Sequence, residues 1–235
     1  MEITMDSKQF VAKVAQENEA LFAASEMQVE AFFNSNPSQE QLVEHFVGRM
    51  VNERMNMVEI AAKVAAAPAA ASTEELALLT KQAQDEANHF RMVKEVIEHI
   101  TGETLDVEAA IAAEAAEPTA KGAALLAKYE AETDPLALAA YQFIAEGRAE
   151  RVWNKMAECI QDEFISKTYA KIAKDEGFHS NIGRRALELL ATDAETQSRV
   201  EQIARTMRMD LFAISCMNTV AVPAAAKLVA DAYAA

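Results

Sequence analysis

Thiols are nearly missing from this sequence. Cys159 and Cys216 are its two cysteines, far apart and outside any CxxC spacing. That excludes a disulfide framework and makes a reducing, cytoplasmic setting the expectation. Glycine and proline are scarce too, at 6 and 5 of 235 residues. Alternating runs rich in Val, Ile, Thr and aromatics are also missing, so a sheet protein is excluded and an all-helical chain is expected. Basic residues are outnumbered, 22 Lys and Arg against 37 Asp and Glu, for a net charge of −15. Phosphate backbones need clustered cations, so nucleic acid is not an expected partner. The opening residues, Met1 to Asp6, lack the basic and apolar regions of a signal peptide. The most apolar run, residues 211–226, is too short to cross a bilayer and is interrupted by Asn218 and Pro223, so no membrane span is expected.

What is present is apolar and helix-forming. Hydrophobic residues make up 51% of the chain, enough for a large core. Local signals divide it. Asp6 or Ser7 caps a first helix over about 7–33, closed by Asn34-Ser35-Asn36-Pro37. Ser38 with Gln41 reads as a capping box for a helix reaching about residue 66, before Pro68. Ser72 or Thr73 opens the next, which ends near Thr101-Gly102. Residues 103–120 are ambiguous, and a further helix is expected over 119–131. Asp134-Pro135 opens a long helix to about 160, followed by helices over about 162–190 and 195–215 and a tail helix from Pro223.

The strongest signal is an internal repeat. Residues 81–89 and 171–179 both read K-x-A-x-D-E-x-x-H. On a helix, residues three apart share a face, so Glu86 with His89, and Glu176 with His179, can each reach one ion. One Glu-x-x-His alone is a common surface pair. Here each has a glutamate opposite it, because facing residues of an antiparallel hairpin lie equally far from its turn. The midpoint of Glu53 and Glu86 falls between Ala69 and Ala70, beside Pro68. The midpoint of Glu146 and Glu176 falls at Gln161. One Glu from each of two helices and Glu-x-x-His from the other two is a di-metal carboxylate plan. Four buried glutamates need compensation, and two divalent cations supply it. Carboxylate and imidazole donors suit iron or manganese, including a mixed Fe/Mn pair.

With this ligand plan the sequence resembles the ferritin-like di-iron carboxylate superfamily, over roughly residues 38–192. The stretch from Asp175 to Gly183 is similar to the D-E-x-x-H-x-N-x-G of aldehyde-deformylating oxygenases. The resemblance implies a single ferritin-like four-helix bundle carrying extra helices at about 7–33 and 195–234. It implies a non-heme di-iron oxidoreductase of monooxygenase or oxidase type that activates O2 to oxidise a small organic substrate. Two Fe ions, an external electron donor and a homodimer go with that expectation. Glu53 and His89 would hold one ion, Glu146 and His179 the other, and Glu86 and Glu176 would bridge them. The alternatives are a ferritin- or rubrerythrin-like iron- or peroxide-handling protein, and a non-catalytic helical interaction protein with a vestigial site.

Neighbouring residues extend the reading. Asp85 and Asp175 precede the repeat glutamates by one position, about 100° around the helix. Each is expected to accept the second ring N–H of the histidine in the other hairpin: Asp85 from His179 and Asp175 from His89. Glu150 reads either as a seventh carboxylate or, preferably, as an ion-pair partner of Arg54, Arg148 or Arg151. His45 and His99 are expected at the surface or helix ends, and Glu59 in solvent. Tyr141 and Trp153, with Met55, Met156, Met207 and Met209, read as packing residues.

Overall fold

The computed structural model describes residues 5–67, 69, 72–116, 134–216 and 220–233, and every regular element among them is an α-helix. In chain order these are α1 (Ser7–Asn34), α2 (Gln39–Ala66), α3 (Thr73–Thr101), α4 (Val107–Ala116), α5 (Pro135–Cys159), α6 (Glu163–Leu190), α7 (Ala194–Ser215) and α8 (Pro223–Tyr233). The expected helix over 119–131 lies outside the described residues. The ambiguous stretch before it contains α4, a short alanine-rich helix with no buried residue.

Local chemistry explains the helix ends. Asp6 accepts from the amides of Lys8 and Gln9 at the start of α1. Ser38 and Gln41 form the reciprocal capping box of α2. Ser72 caps α3, whose last turn closes on Gly102 in the left-handed conformation at φ 72°. Asp134, Asp162 and Asp193 cap α5, α6 and α7. Each cap satisfies amides that the first helical turn leaves without partners.

The chain falls into two units, Met1–Asn36 with Leu125–Ala235, and Pro37–Ala124. In the first, α5 and α6 form an antiparallel hairpin, against which α1 and α7 pack, while α8 lies on α1 and touches α7. Its core includes Phe10, Leu21, Phe143, Ile144, Leu187, Met207 and Leu211. Polar groups also stitch it. The buried Arg148 donates to the hydroxyls of Ser25 and Ser215, which lie 3.0 Å apart. The second unit is the α2–α3 hairpin with α4 against α2. Its buried side chains include Phe46, Met50, Val93, Val96 and Ile97. Both hairpin turns fall where the glutamate midpoints put them, between Ala66 and Thr73 and between Cys159 and Glu163.

Among the described residues no helix is long and apolar enough to cross a membrane. The packing expectations divide. Trp153, Met156 and Met207 are buried, Met55 and Tyr141 are partly buried, and Met209 is exposed.

Candidate metal centre

Glu53 lies on α2 and faces Glu86 and His89 on α3. All three are buried, with relative exposures of 4%, 0% and 0%. The Nδ1 atom of His89 sits 3.4 Å from Glu53 Oε2 and 3.7 Å from Glu86 Oε2. One ligand atom from each of the three falls within a 4.8 Å spread. Burial pushes the Glu53 carboxyl up. Hydrogen bonding and charge attraction from His89, with a further hydrogen bond from Glu86, outweigh it, so the net shift is downward.

The other unit repeats the arrangement. Glu146 on α5 faces Glu176 and His179 on α6, and these three also bring ligand atoms within 4.8 Å of one another. Their exposures are 8%, 2% and 0%. His179 Nδ1 lies 2.9 Å from Glu176 Oε2. Each triad thus holds two carboxylates and one imidazole out of water. With both glutamates ionised and the ring neutral, its charge is −2. Unpaired charge in such surroundings costs several kcal/mol per ion even after relaxation. A divalent cation cancels it, and hard oxygen with imidazole nitrogen is a donor set such an ion accepts. The residues therefore fit a metal.

The contacts place one ring nitrogen of each histidine toward an ion. In both triads Nδ1 faces the carboxylates. That leaves Nε2 to carry the proton and donate it to an acceptor. Within their own helices Asp85 pairs with Lys81, and Asp175 with Lys171 at 3.6 Å. Each of those lysines stands one turn before its aspartate, and a carboxylate has acceptor capacity beyond one such pair.

Tight packing of α5 on α6 sets the second triad. A Cβ on Gly183 would come within 2.4 Å of the Phe143 amide nitrogen and 2.8 Å of the Ala139 carbonyl. Only a glycine permits that approach. Ser180 donates to the Phe143 carbonyl at 3.0 Å, and Asn181 donates to the Gly177 carbonyl at 2.8 Å. The Asn and Gly of the D-E-x-x-H-x-N-x-G stretch thus have structural duties here.

Two expectations are corrected, for Glu150 and His45. Glu150 makes no hydrogen bond or ion pair among the described residues, with Arg54, Arg148, Arg151 or anything else. Burial raises its pKa, against the attraction of Arg151. Arg151 is instead engaged by Glu26 at 2.8 Å and Glu19 at 3.2 Å. The Glu150 carboxyl lies over Gly177, where an added Cβ would meet it at 2.8 Å. His45 is partly buried rather than a surface group, and burial with the nearby Arg49 holds its pKa down at about 3. Glu59 is partly buried, whereas His99 is exposed as expected. Sequence reasoning missed the buried Arg148, whose seryl partners on α1 and α7 leave no local pattern. A groove of about 460 Å3 opens beside Glu26, Arg151, Lys155 and Glu158, and no triad residue lines it.

No family model and no curated protein matches the chain. Among solved structures, a TenA homolog from Pseudomonas syringae pv. tomato str. DC3000 aligns with a TM-score of 0.67. The match covers 92% of this chain and 96% of that one, at 11% identity. This likeness is one of fold, and it overturns the ferritin-like assignment, because the chain aligns along most of its length with a TenA homolog. The reason is physical: D-E-x-x-H fixes which side chains share a helix face and says nothing of the order in which helices pack. The O2-activating di-iron oxidoreductase, of monooxygenase or oxidase type, rested on that assignment and falls with it. So does ferritin- or rubrerythrin-like iron and peroxide handling. The electron donor expected for the oxygen chemistry loses its basis as well.

Proposed function

We propose that this is a metal-binding protein whose two triads join in one centre for two divalent ions. The observation that carries the reading is the pair of buried triads, each with two carboxylates and one imidazole within 4.8 Å. The joining is supported by the K-x-A-x-D-E-x-x-H repeat and by the matched registers of Glu53 and Glu146. In this arrangement Glu53 and His89 would hold one ion and Glu146 and His179 the other, with Glu86 and Glu176 serving both. Asp85 would accept a hydrogen bond from His179 Nε2–H, and Asp175 one from His89 Nε2–H. Oxygen and imidazole donors without thiolate favour iron or manganese, as a like or mixed pair. When bound, such ions supply Lewis-acid polarisation.

The chain's own part is to place the carboxylates around the ions, keep each imidazole in the Nε2–H tautomer and exclude water. The partner class this implies is a small polar molecule with an oxygen donor. A cytoplasmic setting accords with two free cysteines, Cys159 and Cys216. A homodimer belongs to the same proposal and is checked by mass in solution.

The test is metal content after anaerobic loading with Fe(II) or Mn(II) and desalting. Two ions per chain are expected in the parent and in Glu150→Ala. Glu176→Ala should retain less than one. A parent chain that keeps no metal would overturn the reading.

A further inference from the structure

The C-terminal helix makes an unusual contact with α1. The Tyr233 hydroxyl accepts from the Leu21 amide at 3.0 Å and donates to the Glu17 carbonyl at 2.6 Å. Those two backbone groups are four residues apart and are each other's usual partners in an α-helix. The tyrosine therefore inserts into the ladder of α1, a known way of bending a helix locally. Burial raises the Tyr233 pKa, which keeps the hydroxyl protonated and able to donate.

A second side chain works on the same stretch. Arg208 of α7, only 4% exposed, donates to Asn18 Oδ1 at 2.7 Å, to the Glu17 carboxylate at 3.1 Å and to the Val14 carbonyl at 3.2 Å. Its guanidinium lies 5.5 Å from the centre of the Tyr233 ring, a cation–π distance. Two carbonyls of α1, at Val14 and Glu17, are thus bound by side chains from α7 and α8. Ala225 and Val229 are the buried residues of α8.

The held turn leads to the ligand Glu146. Phe22 follows Leu21, and its ring covers Gly147. A Cβ at that glycine would stand 3.2 Å from Phe22 Cζ and 3.1 Å from the Ser180 hydroxyl. Gly147 is the residue after Glu146, and Ser180 the residue after His179. Tyr233, the turn at 17–21, Phe22 and Gly147 form a contiguous packed path within one unit. Packed interiors transmit such displacements because they have few voids to absorb them.

We propose that α8 is a latch, and that Tyr233 is a positioning residue which, through Phe22, sets Glu146 for metal. This rests on the metal-binding reading above. In metal-free full-length protein, Tyr233→Phe removes one oxygen and keeps the ring. Amide exchange in residues 143–148 should then rise by about fivefold, roughly the worth of one hydrogen bond. Lys227→Ala, on the exposed side of α8, should leave those rates unchanged. With Co(II), the same tyrosine variant should shift the ligand-field absorption and weaken binding, also by about fivefold. Parent-like exchange at 143–148 in Tyr233→Phe would overturn the latch. So would an unaltered cobalt spectrum and affinity. A parent protein that binds no cobalt while its exchange responds as expected would sink the metal reading alone and leave a latch on α5.

Discussion

His45 shows how one residue departs from its sequence context. Standing outside the repeat, it was expected at the surface or a helix end, yet burial and the nearby Arg49 hold its pKa at about 3. A histidine in an unfolded chain titrates near 6.5. The folded value is depressed, so the stabilising effect of the neutral ring is complete above about pH 6.5 and is lost as pH falls toward the folded pKa. Unfolding free energy should therefore decline as pH drops from about 7 to 5, below the ordinary histidine pKa. Chemical denaturation of His45→Gln should show a flatter slope over that range. An unchanged slope would assign the acid sensitivity to other groups. Glu53 is also shifted down, but its contribution is lost only at lower pH, as carboxylates begin to protonate. Glu150 is the opposite case. Its raised pKa comes from burial without a paired cation, and the glycine beneath it makes the seat. The Glu150 seat could not be read from spacing, because Gly177 lies on another helix, distant in sequence.

At the scale of elements, the helix starts were legible because the chemistry that makes them is local. Ser38 with Gln41 and Asp134 with Pro135 each act within four residues of the helix they open. The close crossing of α5 and α6 was not legible, since a glycine in a helical pattern reads only as a weak helix former. Two glycines separate the effects. Gly48 on α2 has room: an added Cβ would meet only Glu114 Oε1, at 3.6 Å. Gly48→Ala should stabilise by up to about 1 kcal/mol through helix propensity. Gly183→Ala gains the same propensity but drives a methyl into the backbone of α5. It should destabilise by about 1–3 kcal/mol net, as overpacking does. Thermal and urea unfolding of both variants measure this. Equal signs for the two would mean that the α5–α6 contact yields easily.

At the scale of the whole molecule, the clustering of carboxylates and imidazoles was more legible than the fold. Spacing identified two triads because a helix face and a hairpin turn are short-range geometry. Glu53 with Glu86 and His89, and Glu146 with Glu176 and His179, each come together as the midpoints required. Fold family depends on the order in which helices pack, which no nine-residue motif encodes. The proposal that the two triads make one centre is a statement about the whole chain, and thermodynamic coupling tests it. If Glu86 and Glu176 bridge two ions, either alanine variant already disrupts both positions, and the double variant loses less than the sum. The coupling should fall in the range of about 0.5–3 kcal/mol seen for residues sharing a network. If the triads act separately, the two losses in Mn(II) affinity should add within about 0.5 kcal/mol. Calorimetric titration of the parent, Glu86→Ala, Glu176→Ala and the double variant closes the cycle. Pairing Glu86→Ala with Lys167→Ala, an exposed change, provides an additive reference. Strict additivity in both cycles would replace one two-metal centre by two single-metal sites on the same ligands.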